Sequence, residues 1–320
     1  MALLSLRDVS VAIGQARPLD HLSLDLNRGE ILGVVGESGS GKSMTALAIM
    51  GLLPLIGGRL DGGSITFNGQ DLSALPEADY RKLRGKRIAL ITQNPMTSLD
   101  PIRTVGAQID QVGRLHLGLS GEASRARSVE LMEALRIPEA GLVHGQYPHQ
   151  LSGGMKQRIV IAMALAGDPD LIVADEPTTA LDVTIQAQII QILVDLVLQR
   201  GLALMLITHD MGVVAQACDK VAVLYAGRLA EFADVGEIFA APRHPYTRAL
   251  IGCIAQDGQA RGTLIGIPGT IPGVFAYPSG CRYHPRCAIA EPACAARVPA
   301  VHDIGASRVA CDLAVEAAHV

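Results

Sequence analysis

Residues 36–43 read Gly36-Glu37-Ser38-Gly39-Ser40-Gly41-Lys42-Ser43, a complete G-x-x-x-x-G-K-[ST] pattern. The run follows the short apolar stretch ILGVV (31–35) and opens SMTALAIMGLL, a segment of helical composition that starts Ser43-Met44. Strand, glycine-rich turn and helix are the context in which such a loop wraps phosphate. Glycines let backbone N–H groups close around the anion, and the helix N-terminus adds positive potential. In that geometry residues 36–44 line the phosphates, Lys42 reaches the terminal ones, and Ser43 offers a hydroxyl to Mg²⁺. A glycine turn that merely contains a lysine would need neither flank.

Outward from this loop the chain alternates between apolar runs and amphipathic stretches. RIALIT (87–92), LIVA (171–174), LALMLIT (202–208) and VAVLY (221–225) are strand-length and apolar, while SRARSVELMEALRI and QAQIIQILVDLVLQR carry helical spacing. Strands apolar on both faces, separated by helices, predict an α/β fold of the P-loop NTPase type with a mostly parallel sheet. Residues 3–13 alternate loosely, as an edge strand does. Beyond about Phe239 prolines, glycines and cysteines dominate and the periodicity disappears, which predicts a boundary there: residues 1–240 as the nucleotide-binding domain and 241–320 as a small loop-rich domain.

Two carboxylates end the strand LIVADE. Strand ends face the ligand crevice of open α/β sheets, so Asp175 is a candidate Mg²⁺ holder and Glu176 a candidate base that polarises the attacking water. Between the phosphate loop and this pair lies Leu151-Ser152-Gly153-Gly154-Met155-Lys156-Gln157-Arg158, leading into a helix.

LSGGMKQR resembles the signature of ABC-type ATP-binding subunits, and the other elements follow in that family's order. Gln93 in ITQNPMTSLDP matches the Q-loop glutamine, which touches Mg²⁺ and the water; Ala180-Leu181-Asp182 match the D-loop; His209 in ITHD matches the switch histidine. The resemblance covers roughly the first 240 residues. It implies an N-terminal antiparallel part, a helical subdomain at about 95–165 that carries the signature, and ATP with Mg²⁺ as ligands. It also implies that Ser152, Gly153, Gly154 and Asp182 act on ATP held by the phosphate loop of a facing cassette. The family's adenine-stacking aromatic is missing: Ile13 stands where it is expected, leaving aliphatic contact or a residue elsewhere.

QNPMTSLDP, YPHQLSGGM, ADEPTTALDVTIQAQI and APRHPYTRAL together resemble the ATPases of dipeptide and oligopeptide importers, whose relatives also carry nickel. The tail, IPGTIPG and then Cys281, Cys287, Cys294 and Cys311 spaced C-x5-C-x6-C-x16-C, resembles that of their D-type subunit. Structural zinc usually shows a close C-x₂₋₄-C pair, absent here. Four thiolates can instead hold a 4Fe–4S cluster, as some relatives do; zinc and a metal-free set of thiols remain the alternatives. Cys218 and Cys253 read as ordinary buried thiols. The implied partners are a second ATPase subunit, either an identical chain or the different one that peptide importers usually pair, two membrane permease subunits and an extracytoplasmic binding protein, with this chain at the cytoplasmic face of the inner membrane.

Composition narrows the alternatives. Hydrophobic residues make up 49% and charged ones 18%, so a large core is available and global disorder is excluded. No apolar run approaches the ~20 residues of a membrane span, and MALLSLRDVSVAIG lacks the features of an export signal. A net charge of −4, no basic block and no Trp argue against nucleic acid as a partner, and hence against a DNA-repair or ribosome-acting ATPase. An export motor fused to membrane helices and a non-hydrolysing regulatory subunit are further rivals, the latter opposed by Glu176 and His209. The cargo is not written in this chain.

Overall fold

The computed structural model describes residues 2–179, 181–254 and 266–318. Among them the strands are, in chain order, β1 (Leu4–Ile13), β2 (Ala16–Leu26), β3 (Ile31–Val35), β4 (Gly58–Phe67), β5 (Gln70–Asp71), β6 (Ile88–Ile91), β7 (Leu171–Asp175), β8 (Ala203–Thr208), β9 (Lys220–Tyr225), β10 (Arg228–Asp234), β11 (His302–Ile304) and β12 (Ser307–Val309). The chain divides into two units, Met1–Ala74 joined with Ile207–Val320, and the intervening Leu75–Leu206.

In the first unit an antiparallel sheet runs β2-β1-β4-β5. Its stability comes from cross-strand apolar pairs: Leu4 opposes Leu26, Leu6 opposes Leu24, Val9 opposes Leu22 and Val11 opposes Leu19. All eight side chains are fully buried. The edge position expected for residues 3–13 is therefore corrected, because β1 pairs on both sides. Its register shifts between Leu6 and Val9 and again between Val9 and Val11, and Asp8 adopts a φ of 50°. Such bulges break the period of two and make an interior strand read like an edge.

The same unit holds a second set of strands in the order β11-β12-β10-β9-β3. β3 is buried at every position and runs parallel to β9. β10 is antiparallel to both β9 and β12, pairing Glu231 with Val309 and Phe232 with Arg308. The C-terminal region thus extends this sheet with strands of three residues, too short to show a period in the sequence. Its first helix, Pro245–Gly252, is anchored by charge. The fully buried Glu231 carboxylate accepts the N–H groups of Arg243 and His244, each at 2.9 Å. His244 caps the helix, its Nδ1 accepting the N–H of Tyr246 at 3.0 Å.

In the second unit β6 and β7 are parallel, from Ile88 opposite Leu171 to Ile91 opposite Ala174, and β8 lies beside β7. The helices Val105–Leu117, Gly121–Ala134 and Gly153–Ala166 pack on one another. Each begins with a side-chain cap, Thr104, Ser120 and Ser152 accepting N–H groups of Ala107, Ala123 and Met155. A polar knot ties the first two: Asp110 accepts from Ser128 at 2.5 Å and meets His144 Nε2 at 3.1 Å, while His144 Nδ1 meets Arg125 at 2.8 Å.

Burial gives the first unit a pH dependence. Withdrawn from water, the His244 ring has its pKa pushed down to about 4 from 6.5. The unfolded chain takes up this proton near pH 6.5 and the folded chain only near 4, so stability is whole above that window and falls as pH drops through it. At about 1.36 kcal/mol per pH unit the loss is on the order of 3 kcal/mol. His244→Asn, which keeps a capping acceptor without a titrating ring, is expected to show a smaller fall in urea midpoint between pH 7 and pH 4.5 than the parent. Equal falls would remove His244 as the cause.

Candidate nucleotide site

β3 delivers the chain into the glycine loop. Gly36 has φ 150°, and a Cβ there would stand 2.2 Å from the carbonyl oxygen of Leu224 on β9. Gly41 has φ 105° and would meet the Pro18 carbonyl oxygen at 2.9 Å. Glycine is required at both on conformation and on space. The helix Lys42–Ile49 then starts without a side-chain cap, and a helix N-terminus at the end of such a loop favours an anion. The Lys42 side chain is buried and turns back over the loop, donating to the carbonyl oxygens of Gly36 at 2.7 Å and Glu37 at 3.0 Å. Ser38, Gly39 and Ser43 are exposed, and Met44 is half-buried.

Within the second unit the remaining site residues form two groups. Gln93 donates through Nε2 to Glu176 Oε2 at 2.8 Å, and Thr179 donates to the same oxygen at 2.8 Å. Glu176 follows Asp175, the last residue of β7, and takes a φ of 47°, a left-handed conformation that costs a non-glycine residue on the order of 1–3 kcal/mol. The second group gathers Ser152, Gly153, Gly154, Arg158, Leu181 and Asp182 around one cavity. Ser152 and Asp182 each cap a helix, Gly153–Ala166 and Val183–Arg200. A Cβ on Gly154 would come within 2.9 Å of Ile185, so the signature turn sits directly on the start of the second helix. Ala180 lies outside the described residues.

His209 belongs to the first unit, exposed at the end of β8 beside Asp210, which caps the helix Met211–Ala217. Ile13 is half-buried at the end of β1 and packs against Gly58.

The four tail cysteines are half-buried. Cys281, Cys294 and Cys311 line one small cavity, and the Cys281 N–H donates to the Cys294 carbonyl at 2.8 Å. Among the described residues, however, no three Cys, His, Asp or Glu side chains are grouped so as to hold a metal ion. The four-thiolate centre expected from the spacing is thus not assembled. Burial pushes the thiols of Cys281, Cys287 and Cys311 up, and charge on one or two of the other tail cysteines raises each further. Cys218 is buried as expected, its thiol pushed up to about 12, whereas Cys253 is only half-buried.

Sequence reading missed the groups that hold the phosphate loop from the tail. Arg286 binds the Glu37 carboxylate with both terminal nitrogens, at 2.8 and 3.1 Å, and the Glu37 N–H donates to the Tyr246 hydroxyl at 3.0 Å. No local signal marks a pair 249 residues apart.

The α/β fold and the order of glycine loop, signature stretch and carboxylate pair along the chain match an ATP-binding cassette, and solved structures agree. A bacterial ABC transporter cassette solved as a dimer is 28% identical with a TM-score of 0.65, over 72% of this chain and 98% of that one. A family model described as ABC transporter matches residues 19–179, and one described as oligopeptide/dipeptide transporter, C-terminal region, matches 230–294. The dipeptide transport ATP-binding protein DppD of Escherichia coli is 46% identical across 96% of this chain and 95% of its own length. The oligopeptide transport ATP-binding protein OppD of the same organism is 45% identical across 93% and 89%. The chain belongs to the ABC transporter family, as one of its ATP-hydrolysing subunits.

Gly36→Ala is expected to destabilise the protein by about 2–4 kcal/mol through strain and the clash with the Leu224 carbonyl, and to abolish ATP binding. Thermal denaturation and titration with a fluorescent ATP analogue check the two effects; a variant that melts and binds like the parent would contradict the close approach.

Proposed function

We propose that this chain is the ATP-driven motor of a peptide importer, working at the cytoplasmic face of the membrane. The observation that carries the proposal is the glycine loop, with its two sterically required glycines and Lys42 folded over it, in a chain whose relatives along nearly its whole length are dipeptide and oligopeptide transport ATP-binding proteins. A nickel or other small-solute importer of the same family is the alternative cargo.

Each side chain then has a task. Lys42 exchanges its two backbone acceptors for the terminal phosphates of ATP. Glu176, positioned by the hydrogen bonds from Gln93 and Thr179, orients and deprotonates the attacking water. His209 senses the γ-phosphate. The hydroxyl of Ser43, the carboxylate of Asp175 and the amide oxygen of Gln93 are the hard oxygen donors that Mg²⁺ takes, and that ion would neutralise charge on the phosphates. Ser152, Gly153, Gly154 and Asp182 would serve the ATP of a facing cassette. Dimeric solved relatives support that arrangement, and a related second subunit is the partner we assign.

Membrane permeases and an extracytoplasmic binding protein complete the machine. No helix among the described residues is long and apolar enough to cross a membrane. Beyond Gln93, Met96 and Ile102 stand 61% and 81% exposed, and we assign these two side chains to the permease contact. We keep the division at residue 240, with the helical part at about 95–165, as the functional one. For the tail we retain a 4Fe–4S centre on Cys281, Cys287, Cys294 and Cys311, with zinc as the alternative. The support is the sequence spacing and the cavity shared by three of these residues.

Glu176→Gln should leave ATP binding intact and lower turnover of the assembled transporter by about 10²–10⁴, trapping a closed ATP-bound dimer. Unchanged turnover would take the water-activating role from Glu176. The tail is tested separately. Anaerobically purified protein should contain iron and acid-labile sulfide and absorb broadly near ~400 nm. Zinc alone would install the alternative, and neither metal would leave four metal-free thiols.

A further inference from the structure

The phosphate loop is gripped from two directions at one residue, Glu37. From inside the loop, Lys42 Nζ donates to the Glu37 carbonyl oxygen at 3.0 Å. From the C-terminal region, the Tyr246 hydroxyl accepts the Glu37 N–H at 3.0 Å, and Arg286 takes the carboxylate in a fork, NH1 to Oε1 at 2.8 Å and NH2 to Oε2 at 3.1 Å. Glu37 therefore has its N–H, its carbonyl and its side chain all engaged while Lys42 is turned onto the loop. When Lys42 leaves for a phosphate, the Ser40 N–H still donates to the Glu37 carbonyl within the loop at 3.1 Å, and the contacts with Tyr246 and Arg286 are the ones that hold Glu37 from outside it.

Arg286 is built for this position. Its side chain is only 6% exposed, yet all three nitrogens are used. Beyond Glu37, Nε donates to the Pro268 carbonyl at 2.7 Å, and NH1 reaches the Tyr225 hydroxyl at 3.3 Å. A planar fork satisfied on every side loses little further entropy on binding and fixes its partner's orientation, which a lysine cannot do. Behind it the rings of Tyr225, Tyr246 and Tyr283 meet edge-on or tilted, at centroid distances of 4.6 to 5.2 Å. The chain has six tyrosines and no tryptophan, so half of its tyrosines support this one contact. A further tail residue covers the loop: Ile271 Cγ2 lies 3.4 Å from where a Cβ of Gly39 would be.

We propose that the C-terminal region latches the phosphate loop, with Arg286 as the positioning residue that holds Glu37 in the shape that receives ATP. The latch rests on the reading of residues 36–43 as the nucleotide site. It makes ATP affinity depend on the order of the cysteine-bearing segment, because Arg286 directly precedes Cys287 and shares its turn with Cys281, whose carbonyl accepts from His284. A disturbance in this segment therefore reaches the loop through the Arg286 guanidinium.

The experiment measures binding of a fluorescent ATP analogue and thermal midpoint on the full chain, for the parent, Arg286→Ala, Arg286→Lys, Glu37→Gln, Glu37→Ala and the double variant Glu37→Ala/Arg286→Ala. The parent must bind; if it does not, the nucleotide-site reading itself fails, and the latch with it. Given binding, Arg286→Ala is expected to weaken affinity about tenfold, within the range of site-to-site coupling. Glu37→Ala should do the same, and the double variant should be no weaker than either single one. Arg286→Lys should restore part of the loss. Losses that add in the double variant, or a lowered midpoint with affinity unchanged in Arg286→Ala, would overturn the latch. Should Arg286→Ala not fold, Glu37→Gln carries the same reading, since it keeps volume and removes the charge; affinity within twofold of the parent there would overturn the latch as well.

Discussion

An ATP-binding loop must hold its backbone in a tight curve around an anion, and the first unit is arranged around that requirement. The loop's shape has to be imposed by neighbours. Gly36 is pressed to the Leu224 carbonyl at the end of β9, and Gly41 to the Pro18 carbonyl on β2. The turn after β9 closes the third side, with the Gly227 N–H donating to the Ser40 carbonyl at 2.8 Å. Two separate segments, residues 224–227 and the part of β2 around Pro18, therefore fix this stretch. The left-handed glycines are the local consequence, and the packing of β9 and β2 on either side is the global one.

What the sequence made legible is what local chemistry encodes. The phosphate loop, the carboxylates after β7 and the capped signature turn are each specified within eight or so residues, by φ requirements, by capping and by apolar run length. Helices and parallel strands followed for the same reason. The strands β2 and β4 did not. β1 carries bulges that blur its alternation, β2 contains Pro18, and β4 contains Gly62 and Gly63 at positive φ, all of which read as turns. The Arg286–Glu37 contact was invisible because each residue alone is an ordinary surface type, and only the fold brings them together. The cysteines were legible as a group but not as a geometry, since spacing says which residues are near in the chain and not where their sulfurs point.

The buried charges of the first unit follow a common pattern. Asp20 takes Arg228 and Arg282 on one carboxylate, at 2.7 Å each, and Glu231 takes two backbone N–H groups with no exposure to water. Burying such groups costs several kcal/mol per ion before any attraction is counted, so they are weak devices for stability. They are strong devices for geometry, because a misplaced partner leaves a charge unpaired. All three carboxylates, Asp20, Glu37 and Glu231, bind residues of the C-terminal region. An apolar seam would have joined that region to the sheet more cheaply. The ionic one fixes its register.

Register is what a phosphate loop needs from its surroundings, and strain within the second unit makes the same point. Glu176 is held at φ 47° with one oxygen accepting two hydrogen bonds, from Gln93 and Thr179. A relaxed glutamate would sample several rotamers and keep its own solvation shell. Here the backbone conformation removes some of that freedom and the two donors remove more, so the carboxylate is already oriented before a water is bound. Conformational strain of about 1–3 kcal/mol persists only where the surrounding structure over-determines the residue, and in this chain two hydrogen bonds and the preceding buried strand β7 supply that constraint. A carboxylate placed this way needs little reorganisation to take up a water, which is the property that preorganised sites exploit.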